Sequence, residues 1–179
     1  MSCTQRWTRM FAFLSLLLLA HCNWGNIGYN TGYAPEQPLP FSHKLHAGDY
    51  KISCVYCHTQ VEQASHSAVP SLNICMNCHG FVATESPHIK KLQKKYYDGD
   101  TVNWVKVHML PDHAKFNHKR HVHRFSKPED RYQACQTCHG DVKSMEVIEQ
   151  KSSLSMGWCV NCHREQTPQG PLNCSTCHN

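Results

Sequence analysis

Five times along this chain two cysteines stand three residues apart, with a histidine directly after the second. They are Cys54-Val-Tyr-Cys57-His58, Cys75-Met-Asn-Cys78-His79, Cys135-Gln-Thr-Cys138-His139, Cys159-Val-Asn-Cys162-His163 and Cys174-Ser-Thr-Cys177-His178. Two thiols on one helical turn reach the two vinyl groups of one porphyrin, and the adjoining imidazole then projects over the ring toward the iron. C-x-x-C-H is accordingly the attachment signature of c-type haem. The competing chemistries are zinc and disulfides. Zinc takes two such pairs per tetrahedral Cys₄ ion, and five pairs leave one over. Disulfides suit an exported chain but give no reason for the histidines. With 15 histidines in 179 residues, five motifs in a row followed by His would arise by chance about four times in a million. The expectation is five covalently bound c-type haems, with His58, His79, His139, His163 and His178 as their first axial ligands.

Electron-transfer haems favour two strong axial ligands, so five more are needed. The chain repeats itself: Phe41-Ser-His43-Lys-Leu-His46 returns 75 residues later as Phe116-Asn-His118-Lys-Arg-His121. Each copy precedes two haem motifs, 21 residues apart in the first half and 24 in the second. Histidines at i and i+3 share one side of a helical turn and can serve two neighbouring haems. His43, His46, His118 and His121 are therefore the first candidates for sixth ligands, followed by His66 and His108. His88, His113 and His123 read as surface residues. Met145 stands in the second half roughly where His66 stands in the first. A methionine ligand there would raise the haem potential, although a buried methionine also fits any apolar gap.

The elements that must position these groups are few. Leu, Ile and Val are concentrated in the first twenty positions, and beyond residue 25 there are few aliphatic runs from which to build a core. The fold class expected is mainly α and irregular: short helices and loops wrapped on haems, with little sheet. Residues 1–22 read as a membrane-targeting segment, with Arg6 and Arg9 before an uncharged run from Met10 to Ala20. That run suits a signal peptide and is too short for an ordinary membrane span. Leu19-Ala20-His21-Cys22 resembles a bacterial lipoprotein box, apart from His21, where a small residue is usual. Lipidation at Cys22, cleavage without lipid and an uncleaved anchor all remain open. Residues 23–40, rich in Gly and Pro, read as an extended tether, holding the domain off a membrane or lying across a partner. A haem domain over 41–179 would then divide into dihaem modules at about 41–80 and 116–164, with a fifth haem on residues 165–179. Between the modules, Ile89 to Tyr97 is a lysine-rich helical stretch: a solvated face, or a docking surface for an acidic partner or haem propionates. The formal charge of +5 invites a nucleic-acid reading. Ten haem propionates, ionised near neutral pH, would offset it, and nucleic acid is not an expected partner.

The Phe-x-His-x-x-His pattern before C-x-x-C-H resembles that of class III multihaem cytochromes c. Phe41-Ser-His-Lys-Leu-His-Ala-Gly48, Cys75-Met-Asn-Cys-His79, Trp104-Val-Lys-Val-His-Met-Leu-Pro-Asp112 and Met156-Gly-Trp-Cys-Val-Asn-Cys-His-Arg164 look like the pentahaem subunit of alternative complex III. That complex is a bacterial membrane quinol:acceptor oxidoreductase. The resemblance covers about residues 38–165 and is weaker at both ends. It implies an electron-transfer subunit on the periplasmic side of the inner membrane. Its partners would be a quinol-oxidising integral membrane subunit, an iron–sulfur subunit, and a monohaem cytochrome c or terminal oxidase as acceptor. Within the matching stretches His43, His46, His108, His118 and His121 gain weight as sixth ligands. Two other functions compete: a freely diffusing periplasmic shuttle, and a multihaem reductase of a small oxyanion. The reductase needs an open iron, and the surplus of histidines with all five motif histidines kept argues against one.

Overall fold

The protein is described from a computed structural model covering residues 29–127 and 130–178. The targeting segment, Cys22 and the start of the tether lie outside the described residues.

The cysteine motifs organise the secondary structure. In chain order the elements are a π-helical turn at Lys44–Asp49, α1 at Cys54–Cys57, α2 at Leu72–His79, α3 at Pro87–Tyr97, α4 at His118–Phe125, α5 at Tyr132–His139, a 3₁₀ turn at Val142–Ser144, α6 at Met156–Glu165 and α7 at Cys174–Cys177. Every C-x-x-C lies within one of these helices, so each cysteine pair shares one helical side, as attachment to one ring requires. No strand occurs among the described residues, in keeping with the helical and irregular class expected from the sequence. Side chains open the two helices that matter most: Asn117 Oδ1 accepts from Arg120 N at the start of α4, and Ser155 Oγ from Trp158 N at the start of α6. Among the described residues no helix exceeds eleven residues, and isolated helices of that length are marginal in water.

Apolar packing does not make up the difference. Leu39, Leu92 and Val102 form one small buried cluster with Leu72, Ile89 and Trp104 around it; Val61, Val122 and Ala134 form another, flanked by Val55 and Phe125. The first cluster seats α3 and the end of the Gly/Pro segment. That segment, over 29–40, lies along the domain: Gly32 N donates to the Gln150 carbonyl (2.8 Å), Gln150 N to that of Tyr33 (3.0 Å), and Gln37 brackets the backbone of Val105. Gln150 is fully buried and its side chain holds Met109 N and the Ser152 carbonyl. The lysines of α3 are engaged locally. Lys90 pairs with Glu85, Lys94 with Asp98 and Lys95 with Asp100, while Lys91 reaches the Pro38 carbonyl. Their charges are thus largely answered within the chain, which favours the solvated face over the docking surface. Among the described residues no helix is long and apolar enough to cross a membrane.

Candidate haem centres

Each Phe-x-His-x-x-His copy builds the same local object. The Phe41 ring stacks on His46 (centroids 4.4 Å, planes 21° apart) and meets His43 edge-on (4.9 Å, 83°). Phe116 does the same to His121 (4.2 Å, 26°) and His118 (4.8 Å, 85°). Four residues back, Ser42 and Asn117 offer carbonyls to the Nδ1 atoms of His46 and His121, both at 2.8 Å. The phenylalanine therefore sets two imidazoles at steep angles to each other, so that they face different neighbours.

Four of the five motif histidines are held by the same device. His58 Nδ1 bonds the Ala68 carbonyl (3.1 Å), His79 that of Val82 (3.0 Å), His163 that of Pro171 (2.7 Å) and His178 that of His113 (3.0 Å); His118 bonds that of Ser65 (3.0 Å). A carbonyl only accepts, so Nδ1 carries the proton in each ring and Nε2 keeps a free lone pair. Orientation of this kind is what a metal-binding imidazole needs. His123 is reversed: its Nε2 bonds the Glu62 carbonyl, which takes that nitrogen out of play.

Two sixth-ligand candidates stand opposite motif histidines. His46 faces His79 and His121 faces His163, both with centroids 6.1 Å apart. Two imidazoles bound by Nε2 to one iron, at metal–nitrogen lengths of about 2.0–2.1 Å, have centroids about 6.3 Å apart. The spacing fits haem. His113, expected at the surface, is exposed but stacks against His178 at 5.6 Å and 25°. The contact with His178 is not foreshadowed in the sequence, because His113 belongs to no repeat; the one signal is that the tail motif has no Phe-x-His-x-x-His of its own. His108 lies against His139 with centroids 4.3 Å apart, its Nε2 3.0 Å from His139 Nδ1. That spacing is too short for an iron between the rings. His66 is exposed beside His118, and His88 is exposed on α3. Met145 is buried, with its methyl close to Gly140, just beyond His139.

The five motifs form a file in the order second, first, third, fourth, fifth. Within the first two, Asn77 Nδ2 donates to Tyr56 Oη (3.0 Å). Cys54 and Cys135 line one cavity of about 500 Å³, together with Val61, Val122, Tyr132 and Lys143. Burial pushes the Cys138 thiol up to about 11, helped by nearby Cys162 and Cys159. Burial likewise raises Cys159, with Cys177 adding to it. Gly170 N and the Pro171 carbonyl hold the tail on His163.

The imidazoles at the middle of the file are kept neutral. Burial, with His108 beside it, lowers His139 to about 3. Burial and the charges of His58, His46 and His108 lower His43 to about 4. Neutral imidazole is the form that binds metal. His43 Nδ1 is buried without a hydrogen-bond partner, a cost that binding through Nε2 would leave in place. Among the described residues no three His, Cys, Asp or Glu side chains converge on one point.

No family model matches the chain. A relative in Nitratidesulfovibrio vulgaris, the multiheme cytochrome c subunit of a menaquinone reductase, is 30% identical over 165 residues, covering 80% of this chain and 77% of its own length.

Proposed function

This chain belongs to the multihaem cytochrome c family, and we propose that it is a pentahaem electron-relay subunit of a membrane-bound, quinone-linked respiratory complex. The observation that carries the reading is the pair of facing imidazoles, His46–His79 and His121–His163, each 6.1 Å apart with both Nδ1 atoms tied to backbone carbonyls. Bound c-type haems supply reversible one-electron chemistry at iron, with little change of geometry when two strong ligands are present. The chain's own residues do the rest. Cys54 and Cys57, Cys75 and Cys78, Cys135 and Cys138, Cys159 and Cys162, and Cys174 and Cys177 anchor the five rings. The motif histidines and their partners close the irons against substrate, which supports a relay over a reductase. We assign His46 opposite His79, His121 opposite His163 and His113 opposite His178.

The resemblance of residues 38–165 to the pentahaem subunit of alternative complex III supports a quinol-oxidising assembly. In it a polytopic membrane subunit and an iron–sulfur subunit would lie upstream, with a monohaem cytochrome c or terminal oxidase downstream. The name of the N. vulgaris relative favours a second reading, in which electrons run the other way, toward a quinone. In both readings we propose that the haem domain lies on the periplasmic side, as the leader and the resemblance to the alternative complex III subunit suggest, held at the membrane by that leader or by lipid on Cys22.

Gentle detergent extraction of native membranes, followed by haem staining and mass spectrometry, tests the assembly. A large polytopic subunit in fixed ratio is expected, and recovery of the chain alone in the soluble fraction would remove the complex. Adding quinol to the purified assembly then gives the direction: haem reduction supports the first reading, and reduction of added quinone by the reduced haems supports the second.

A further inference from the structure

Every motif histidine has a partner at Nδ1, and one of the five partners differs in kind. His58, His79, His163 and His178 each turn Nδ1 to a backbone carbonyl. His139 turns it to a side chain: its Nδ1 lies 3.0 Å from His108 Nε2, with the two ring planes 84° apart. Binding an iron through Nε2 leaves the proton of His139 on Nδ1. His139 is then the donor and His108 Nε2 the acceptor. The lone pair that His108 would need for an iron of its own at Nε2 is spent on this bond, and its proton sits on Nδ1.

The backbone around His108 is clamped. Val107 before it is buried, and after it Met109 N donates to Gln150 Oε1 (2.9 Å). Gln150 is fully buried, with its Nε2 on the Ser152 carbonyl (3.0 Å) and its own backbone paired with Gly32 and Tyr33. A ring carried on so fixed a segment has little freedom to swing away from its partner. We propose that His108 is a positioning residue for the third haem, orienting His139 by accepting from Nδ1 in place of the carbonyl that serves the other four motifs. An imidazole nitrogen is a more basic acceptor than an amide oxygen, so His139 gains anionic character and ferric iron is favoured. The third haem is thereby held at a lower potential than the same axial ligands would give it over a carbonyl.

The inference rests on reading the motifs as haem sites, so intact mass of the full-length holoprotein comes first. Fewer than five haems in the wild type would mean that this reading has failed, before His108 is asked about. His108→Gln and His108→Ala then separate the roles. Glutamine carries an amide oxygen to about where Nε2 stands, which restores a carbonyl acceptor but supplies no imidazole for iron. His108→Gln should bind no more carbon monoxide than the wild type when reduced; a newly opened iron would make His108 a ligand and overturn the proposal. Potentiometric titration reads the tuning. In His108→Ala the ferrous-to-ferric ratio of one haem, at fixed potential, should rise roughly threefold to tenfold, tenfold being about 59 mV for one electron. His108→Gln should fall between that variant and the wild type. Five unmoved midpoints in His108→Ala would overturn the proposal. Should the variants not fold, experimental density of the wild-type holoprotein decides by itself: His108 Nε2 on His139 Nδ1 supports the positioning role, and His108 on an iron overturns it.

Discussion

Gly170 stands against the ring of His163 with no room for a side chain. A Cβ there would lie 2.7 Å from His163 Cγ and 3.0 Å from Cδ2, where ordinary contact begins at 3.4 Å. In Gly170→Ala the ring must therefore retreat by roughly 0.7 Å. The hydrogen bond from His163 Nδ1 to the Pro171 carbonyl, now 2.7 Å, would stretch toward about 3.4 Å, beyond the useful range. That bond raises the basicity of the imidazole and so favours ferric iron; weakening it should raise the potential of the fourth haem. A net worth of about 0.5–1.5 kcal/mol corresponds to an upward shift of roughly 20–60 mV for one electron. Potentiometric titration followed by visible and electron paramagnetic resonance spectra reads the shift. Gly157→Ala, whose Cβ would meet nothing within 4 Å, is the control and should leave every midpoint in place. If Gly170→Ala also leaves all five within about 10 mV, the Pro171 carbonyl does not tune His163 and the reasoning fails.

Replacing His113 by Ala should open the fifth iron to carbon monoxide while all five haems stay attached; five closed irons would return His113 to the surface role its exposure first implied. The ring planes of His46 and His79 cross at 65° and those of His121 and His163 at 24°, so the ferric protein should show one large-g signal lost in His46→Ala and a more rhombic one lost in His121→Ala. Indistinguishable signals would mean the angles are not kept in the holoprotein. Gln150→Ala strips the partners of Met109 N and the Ser152 carbonyl in a fully buried position and should cost about 2–4 kcal/mol, or roughly 5–15 °C in Tm. A loss under about 0.5 kcal/mol would show that water replaces the side chain.

What the sequence made legible was local chemistry. The cysteine spacing places both thiols on one helical side, and the repeated Phe-x-His-x-x-His marks two turns with paired imidazoles; both are written within six residues. The helical, irregular class followed from the scarcity of aliphatic runs beyond residue 25. Spatial order was not legible, because the contact of Cys54 with Cys135 joins positions far apart in the chain and no local pattern announces it. The role of Phe41 and Phe116 was also hidden: an aromatic residue with no polar partner in the pattern reads as core until its ring is seen against His46 or His121. The lysines of α3 looked like a docking face in one dimension, but Glu85, Asp98 and Asp100, just outside the helix, fold back onto them. His113 was passed over for want of a repeat, although the tail motif had no partner elsewhere and needed one.

The seam between the two halves of the repeat also accounts for how so slight a core holds the domain together. Among the described residues most buried apolar side chains fall in two small clusters, and the helices there are too short to stand alone. Backbone bonds cross the seam in both directions: Lys44 N donates to the Met145 carbonyl (2.9 Å) and Lys119 N to that of Ala64 (3.1 Å). Each contributes about 0.5–1.5 kcal/mol net. Links between the facing imidazoles would add to them, His46 to His79 closing a loop of 33 residues and His121 to His163 one of 42. In the chain-entropy model a cross-link over about 15 residues is worth roughly 3 kcal/mol and one over about 100 roughly 4.7 kcal/mol, so each such link would outweigh a single hydrogen bond across the seam. The same seam carries the third motif next to the first, so the contact that joins the halves also brings their motifs into one file.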